Sequence, residues 1–166
     1  MSAKKSATGI HGDIMREILF KAKDKKTNEW IEGFPVRIYD YGGKVWEIHP
    51  FETNFNVICK VVPETICEFT GKLDKNKKKV FEGDIFHIED DIFAVVIFRD
   101  GGFRLEEHGL QGTYTESGWD ECGGGYGVID CSPIDWYTLT DMEVAGNIHD
   151  NPELLKGYWY EMVTFY

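Results

Sequence analysis

The sequence predicts a mainly β protein with one or two short helices. Short runs of β-branched and aromatic residues recur along the chain, the composition of strands that pack on a half-buried sheet. Clusters of Gly, Asp and Asn with turn chemistry separate those runs. A helix start signal appears near the C-terminal end, where Asn151-Pro152-Glu153 offers an N-cap, a first-turn proline and an acidic residue suited to the helix dipole. A length of 166 residues suits one domain, or two small subdomains sharing a core. The expected organisation is a flexible arm over 1–14 and a β-rich domain over 15–166, open to division into 15–70 and 71–166.

The elements follow in order. Residues 16–22 read as a strand with Ile18 and Phe20 on one face, and a polar turn at 24–28 returns the chain into Trp30-Ile31. Gly33 and Pro35 interrupt this hairpin. Residues 36–39 and 45–48 then flank a turn at 40–44 that contains Gly42 and Gly43. The apolar run 57–62 ends at Pro63, and 66–69 is expected to pair with it. Five lysines and one aspartate in 71–79 read as an exposed basic loop around 74–76. Residues 84–88, 92–98 and 103–105 form a three-strand meander. Its turns are 89–91 and Asp100-Gly101, and 92–98 is its buried centre. The polar, glycine-rich stretch 106–127 reads as a long loop, which in a compact domain is either functional or disordered. Strands are expected at 128–131, 136–140 and 142–148. A short helix follows Asn151, and 158–166 alternates like a last strand that docks on the core or on another subunit.

Composition narrows the chemistry. The chain is 42% hydrophobic and 14% aromatic, which supplies a packed interior despite a net charge of −11. The longest apolar runs, such as 94–98, fall far short of the roughly 20 residues that span a bilayer. Residues 1–13 carry lysines with no apolar stretch after them, so no signal peptide and no membrane association are read and the expected compartment is the cytoplasm. Cys59, Cys67, Cys122 and Cys131 lack both the secreted context of disulfides and the close spacing of zinc ligands, and read as reduced structural thiols. Charge is unevenly shared: 1–79 carry 15 Lys and Arg against 11 Asp and Glu, a balance of +4, whereas 80–166 carry 3 against 18, a balance of −15. So acidic a half repels phosphate backbones, and direct nucleic-acid binding is not expected.

Cys122 through Gly127 is glycine-rich but lacks the Lys-Ser/Thr of a phosphate-binding loop and the Rossmann spacing. His11, His49, His87, His108 and His149 do not pair at metal-ligand spacing. His87 reads as an outward strand residue and His149, beside Asp150, as a turn residue. Ser117 and Cys131-Ser132 have no nucleophile elbow, and the acidic clusters at 89–91 and 120–121 lack EF-hand spacing. No catalytic, cofactor-binding or metal-ligating residue is therefore assigned, and no cofactor is expected.

Three strings are more specific than their composition. Phe69-Thr70-Gly71-Lys72-Leu73-Asp74-Lys75-Asn76 precedes Val80-Phe81-Glu82-Gly83-Asp84-Ile85. Met15-Arg16-Glu17-Ile18 leads through Phe20 to Asp24-Lys25-Lys26. Val144 leads through Gly146-Asn147-Ile148-His149-Asp150 to Asn151-Pro152-Glu153-Leu154-Leu155. Together they resemble the YopX family of phage and prophage proteins over about 15–156. Departures are Lys23 where a tryptophan is common, and Asn76-Lys77 where Asn-Gly is usual, which is at odds with a tight type I′ turn. The stretch 106–127 and the tail 157–166 look like additions, and part of 1–14 like an added leader. The resemblance implies a phage or prophage origin and a β-rich fold, with an SH3-like barrel around Glu82-Gly83-Asp84 as one arrangement. It supplies no activity and no catalytic residues, and folding roles for Gly83 and Asp84 explain the string.

The expected role is a non-enzymatic protein-binding or assembly module acting on a host or phage protein. Rival readings are an acidic nucleic-acid mimic that inhibits a host DNA-binding protein, and an enzyme or small-ligand binder using His87, Asp84 or 106–127. Homo-oligomerisation through the aromatic tail is a further expectation.

Overall fold

The computed structural model describes residues 17–50, 58–89, 92–110, 113–115, 118–120, 126–134 and 136–155. The first sheet contains β1 (Phe20–Lys23), β2 (Trp30–Asp40), β3 (Gly43–His49), β4 (Cys59–Lys60), β5 (Cys67–Leu73) and β6 (Lys79–Phe81). Its order is β4-β3-β2-β1-β5-β6. The second contains β7 (Asp84–Glu89), β8 (Ile92–Arg99), β9 (Gly102–Leu110), β12 (Tyr126–Pro133) and β13 (Val144–Asn147), in the order β12-β9-β8-β7-β13. Between β9 and β12, β10 (Thr113–Thr115) and β11 (Gly118–Asp120) form a separate two-stranded pairing. All described pairings are antiparallel. The fold is thus mainly β, in two open sheets; no closed barrel is seen among the described residues.

The meander forms as its sequence predicts. Ala94, Val95 and Val96 are buried along β8, which lies between β7 and β9. Asp100 and Gly101 both take positive φ (52° and 78°), the backbone of a type I′ turn whose twist suits a two-residue hairpin. The β2–β3 hairpin closes just as tightly, with Asp40 opposite Gly43.

Several expectations are corrected. The first strand starts at Phe20, and Ile18 is exposed while Leu19 and Ala22 are buried. β2 runs unbroken through Gly33 and Pro35. The β1 ladder ends at Phe20–Gly33, so beyond it the missing N–H of Pro35 breaks no bond on that side. β5 pairs with β1 and β6; Cys59 and Lys60 pair with β3 instead. Asp74, expected in an exposed loop, is buried because its carboxylate ties that loop to the second sheet.

The 106–127 loop is largely strand where it is described: β9 continues to Leu110, β12 starts at Tyr126, and the two pair. Polar residues there occupy a ladder whose backbone bonds do not depend on side-chain polarity. Residues 136–140 form the start of a helix, α1 (Trp136–Asp141), because the connection from β12 to β13 must turn Leu139 into the core. The final strand is shorter than 142–148, and the turn after Asn151 is a 3-10 helix over Pro152–Leu155. The arm 1–14, Cys122 and the tail 158–166 lie outside the described residues.

Val80 from the first sheet packs with Phe86, Ala94, Val96 and Leu105 from the second and Leu139 from α1, so this cluster joins the sheets. A second cluster gathers Leu19, Cys67, Phe69 and Phe81 against Trp30. A third gathers Ala22, Ile48 and Val61. Cys59, Cys67 and Cys131 are free thiols, and burial pushes the Cys67 thiol up to about 12, as suits an inert core residue. Among the described residues no helix is long and apolar enough to cross a membrane.

Gly33 shows how closely β2 and β3 approach: a Cβ there would lie 2.3 Å from the His49 carbonyl oxygen and 2.8 Å from Ile48 Cγ2. Gly33→Ala should therefore destabilise the fold by about 2–3 kcal/mol, since backbone must move. Urea denaturation checks this, and an unchanged midpoint would show the approach to be looser than described.

Candidate functional site

β1 points Lys21 and Lys23 the same way, two residues apart on an extended strand. The chain reaches the opposite wall through a turn at Glu82-Gly83, where Gly83 takes φ +77°. The Gly83 N–H donates to Val96 O (2.8 Å), and its carbonyl accepts from the Ile148 N–H (2.9 Å). A Cβ at Gly83 would sit 3.1 Å from Ile148 Cγ1, so both the conformation and the contact favour glycine.

This turn delivers Asp84, almost wholly buried, to three donors. They are Lys21 Nζ (2.6 Å), the Phe81 N–H (2.8 Å) and Asn147 Nδ2 (2.9 Å). Lys21 Nζ also lies 4.7 Å from the ring centroids of both Trp30 and Phe81. At the end of β13 the chain turns on the Asn147 carbonyl, which accepts from the N–H groups of Asp150 (3.0 Å) and Asn151 (2.7 Å). Asp150 then receives Lys23 Nζ on one oxygen and Trp30 Nε1–H (2.6 Å) on the other. Burial opposes ionisation of Asp150, but these two donors and the charges of Lys23 and Lys21 outweigh it and hold the carboxyl below its ordinary value. The His149 ring lies 6.1 Å from that of Trp30. Burial first, and the Lys23 charge second, hold its imidazole below the usual histidine value.

Asp74 makes a second junction. It accepts from the N–H groups of Asn76 (2.8 Å) and Lys78 (2.9 Å) on one oxygen, and from the Val144 N–H of β13 (3.3 Å) on the other. Lys77 takes φ +65° in this turn, so the left-handed backbone usually given to glycine is adopted by lysine.

Between these junctions lies a cleft of about 530 Å³ lined by residues including Lys21, Trp30, Glu32, Lys79, Asp84 and Asn147. Of the residues weighed from sequence, Asp84 lines it and His149 stands beside it. His87 is an exposed strand residue 5.0 Å from the Phe93 ring and is not among the lining residues. Lys21, Lys23, Trp30, Asn147 and Asp74 were missed as site residues. The legible signal was that Lys21, Asp84 and Asn147 each fall within one of the strings that resemble the family. Among the described residues no group of three or more His, Cys, Asp or Glu side chains could hold a metal ion. Chemically, the carboxylates of Asp84 and Asp150 accept from fixed donors, an arrangement that holds elements together.

The family model described as YopX protein matches residues 19–156. A search of curated proteins finds no match.

Asp84→Ala should cost about 3–5 kcal/mol, because it leaves Lys21 and two N–H donors without their acceptor. A double-mutant cycle with Lys21→Ala should be non-additive by at least about 1 kcal/mol, and additive losses in urea unfolding would refute the pairing. His149 gives a separate pH test. Its folded pKa lies below the 6.5 of the unfolded chain, so the unfolded state binds more protons as pH falls. Its contribution is full above about pH 7 and declines as pH drops toward the folded value, a window above the one in which Asp150 titrates. His149→Gln should flatten the loss of stability between about pH 7 and pH 5, and an unaltered slope would exclude this origin.

Proposed function

We propose that this chain, which belongs to the YopX family, is a non-enzymatic binding or assembly module of phage or prophage origin that engages a protein partner in the cytoplasm. The observation that carries the reading is the outer part of the β2–β3 hairpin. Past Gly33, β2 has left its β1 neighbour, and seven paired positions from Phe34–His49 to Asp40–Gly43 carry the hairpin onward. Phe34 and Val36 are exposed on one face. Tyr39 is 69% exposed on the other, and Tyr41 at the tip is fully exposed. Arg37 and Lys44 are exposed beside them, with the Arg37 guanidinium 5.9 Å from the Trp46 ring. Aromatic and apolar groups with arginine, projected into solvent together, are the composition of a protein-recognition surface.

The cleft chemistry is compatible with this reading, because its carboxylates are engaged by fixed donors within the chain. The acidic second half would favour a partner with basic character and would steer its approach.

The test compares the wild-type chain with Tyr39→Ser/Tyr41→Ser as bait in host lysate, by quantitative mass spectrometry, with melting temperature as the folding control. A specific partner should fall at least about tenfold in the variant while the melting temperature holds, as expected for aromatic anchors. Identical captured sets would reject the hairpin. Turnover in an activity screen that is abolished by one substitution would reject the non-enzymatic reading.

A further inference from the structure

The cleft has a role that its internal ion pairs leave open. Its acidic groups are each matched: Asp84 by Lys21 (2.6 Å), Glu32 by Lys79 (2.9 Å), and Asp150 by Lys23. Lys78 also lines the cleft, is exposed, and forms no ion pair among the described residues. The Lys21 ammonium carries three N–H groups, of which one is directed at a carboxylate; two aromatic faces hold the group in place. The lining carries three lysines and three carboxylates, and because Asp150 is taken by Lys23 from outside the lining, Lys78 is the lining lysine with no carboxylate partner among the described residues. The rest of the wall includes Trp30, Phe81, Val144 and Gly146, which present apolar surface.

We infer that the cleft binds a small organic anion with a flat apolar body, its charged group at Lys78. A volume of about 530 Å³ lies in the range of small-molecule sites and admits a body the size of a mononucleotide or a substituted aromatic acid. The wall dictates the class. A bare inorganic anion would leave the apolar surface wet, and a neutral ring would leave Lys78 without a counter-charge. Gly146 matters to the shape: a Cβ there would lie 2.6 Å from Asn151 Oδ1, so any side chain would press on the 147–151 turn that forms one wall. The site uses Trp30 and Glu32 of β2 but none of the exposed outer residues from Phe34 to Tyr41, and it does not rest on the protein-partner reading.

The test is titration of the full chain, followed by NMR on the Trp30 indole N–H and the Gly146 amide. The probes are adenosine monophosphate, phenyl phosphate, benzoate, adenosine and inorganic phosphate. At least one of the three ring-bearing anions should shift both resonances saturably. Adenosine and inorganic phosphate should bind at least about tenfold more weakly than that anion, the loss of one full contact class. Whether a phosphate or a carboxylate is preferred identifies the anion's source. Lys78→Glu, at an exposed position that the fold does not need, should weaken the best probe by at least about tenfold, whereas Tyr39→Ser/Tyr41→Ser should leave it unchanged. The inference is overturned if no ring-bearing anion moves these resonances at about 10 mM, a concentration that would reveal even millimolar affinity. Equal binding of adenosine or bare phosphate, or indifference to Lys78→Glu, also overturns it.

Discussion

The two sheets are held in register by one buried carboxylate. Asp84 opens the second sheet, yet its donors are a lysine of the first strand, a backbone N–H at the end of β6, and an amide at the end of β13. A carboxylate removed from water costs several kcal/mol unless donors replace its hydration, and here three do so. Asp84 therefore adds less to net stability than to uniqueness of arrangement. Only one relative placement of β1, β6 and β13 satisfies all three donors at once. The cluster of Val80, Phe86, Val96 and Leu139 supplies the apolar attraction between the sheets, but apolar contact tolerates sliding in a way that a three-donor carboxylate does not.

The same device explains why a cleft exists. β6 and β13 are the end strands of their sheets, and end strands carry backbone groups that seek partners. Here side chains answer several of them: Asp84 takes the Phe81 N–H, Asp74 takes the Val144 N–H, and Asn151 Oδ1 takes the Asn147 N–H at 3.4 Å. The edges are thereby blunted without being zipped into a ladder. Side-chain bridges hold the two edges at a distance that a shared ladder would close, and the space between them becomes the cleft.

What could be read in advance follows from the range of the interactions. The β7–β8–β9 meander was legible because its strands, turns and burial are set by neighbours in sequence, down to the positive φ at Asp100-Gly101. Residues 136–140 were misread as strand because aromatic β-propensity is a local signal, while the need to bring Leu139 into the core is tertiary. β9 past Glu106 and the first residues of β12 read as loop because polar composition hides a ladder made by backbone groups, whereas 128–131 falls within β12 as expected. The cleft was least legible of all. Lys21 meets Asp84 across 63 residues and Lys23 meets Asp150 across 127, and nothing local to either lysine announces its partner. Only the strings that resemble the family hinted at it, since each contributes one wall.

That convergence separates the parts of the chain by the work they do. Residues from the strings that mark the family meet at Gly83, Asp84, Asp74 and the turn on Asn147, where they satisfy one another's polar groups and fix the sheets. Side chains so engaged cannot reach outward without releasing what they hold. In the proposed role, recognition of a macromolecular partner would fall to residues that the core does not require, and the tip of the β2–β3 hairpin is the clearest of these. Beyond Gly33 the hairpin has no neighbour on the β1 side, and once β3 has left β4 past Glu47 the outermost pairs, Ile38–Val45 to Asp40–Gly43, add ladder bonds with no neighbouring strand on either side. A two-stranded ribbon of this kind is marginal alone, and extending it with exposed Tyr39 and Tyr41 adds solvation cost rather than stability. A second surface covering the tip would remove that cost, which is why the proposal places partner binding on the hairpin rather than on the carboxylate junctions.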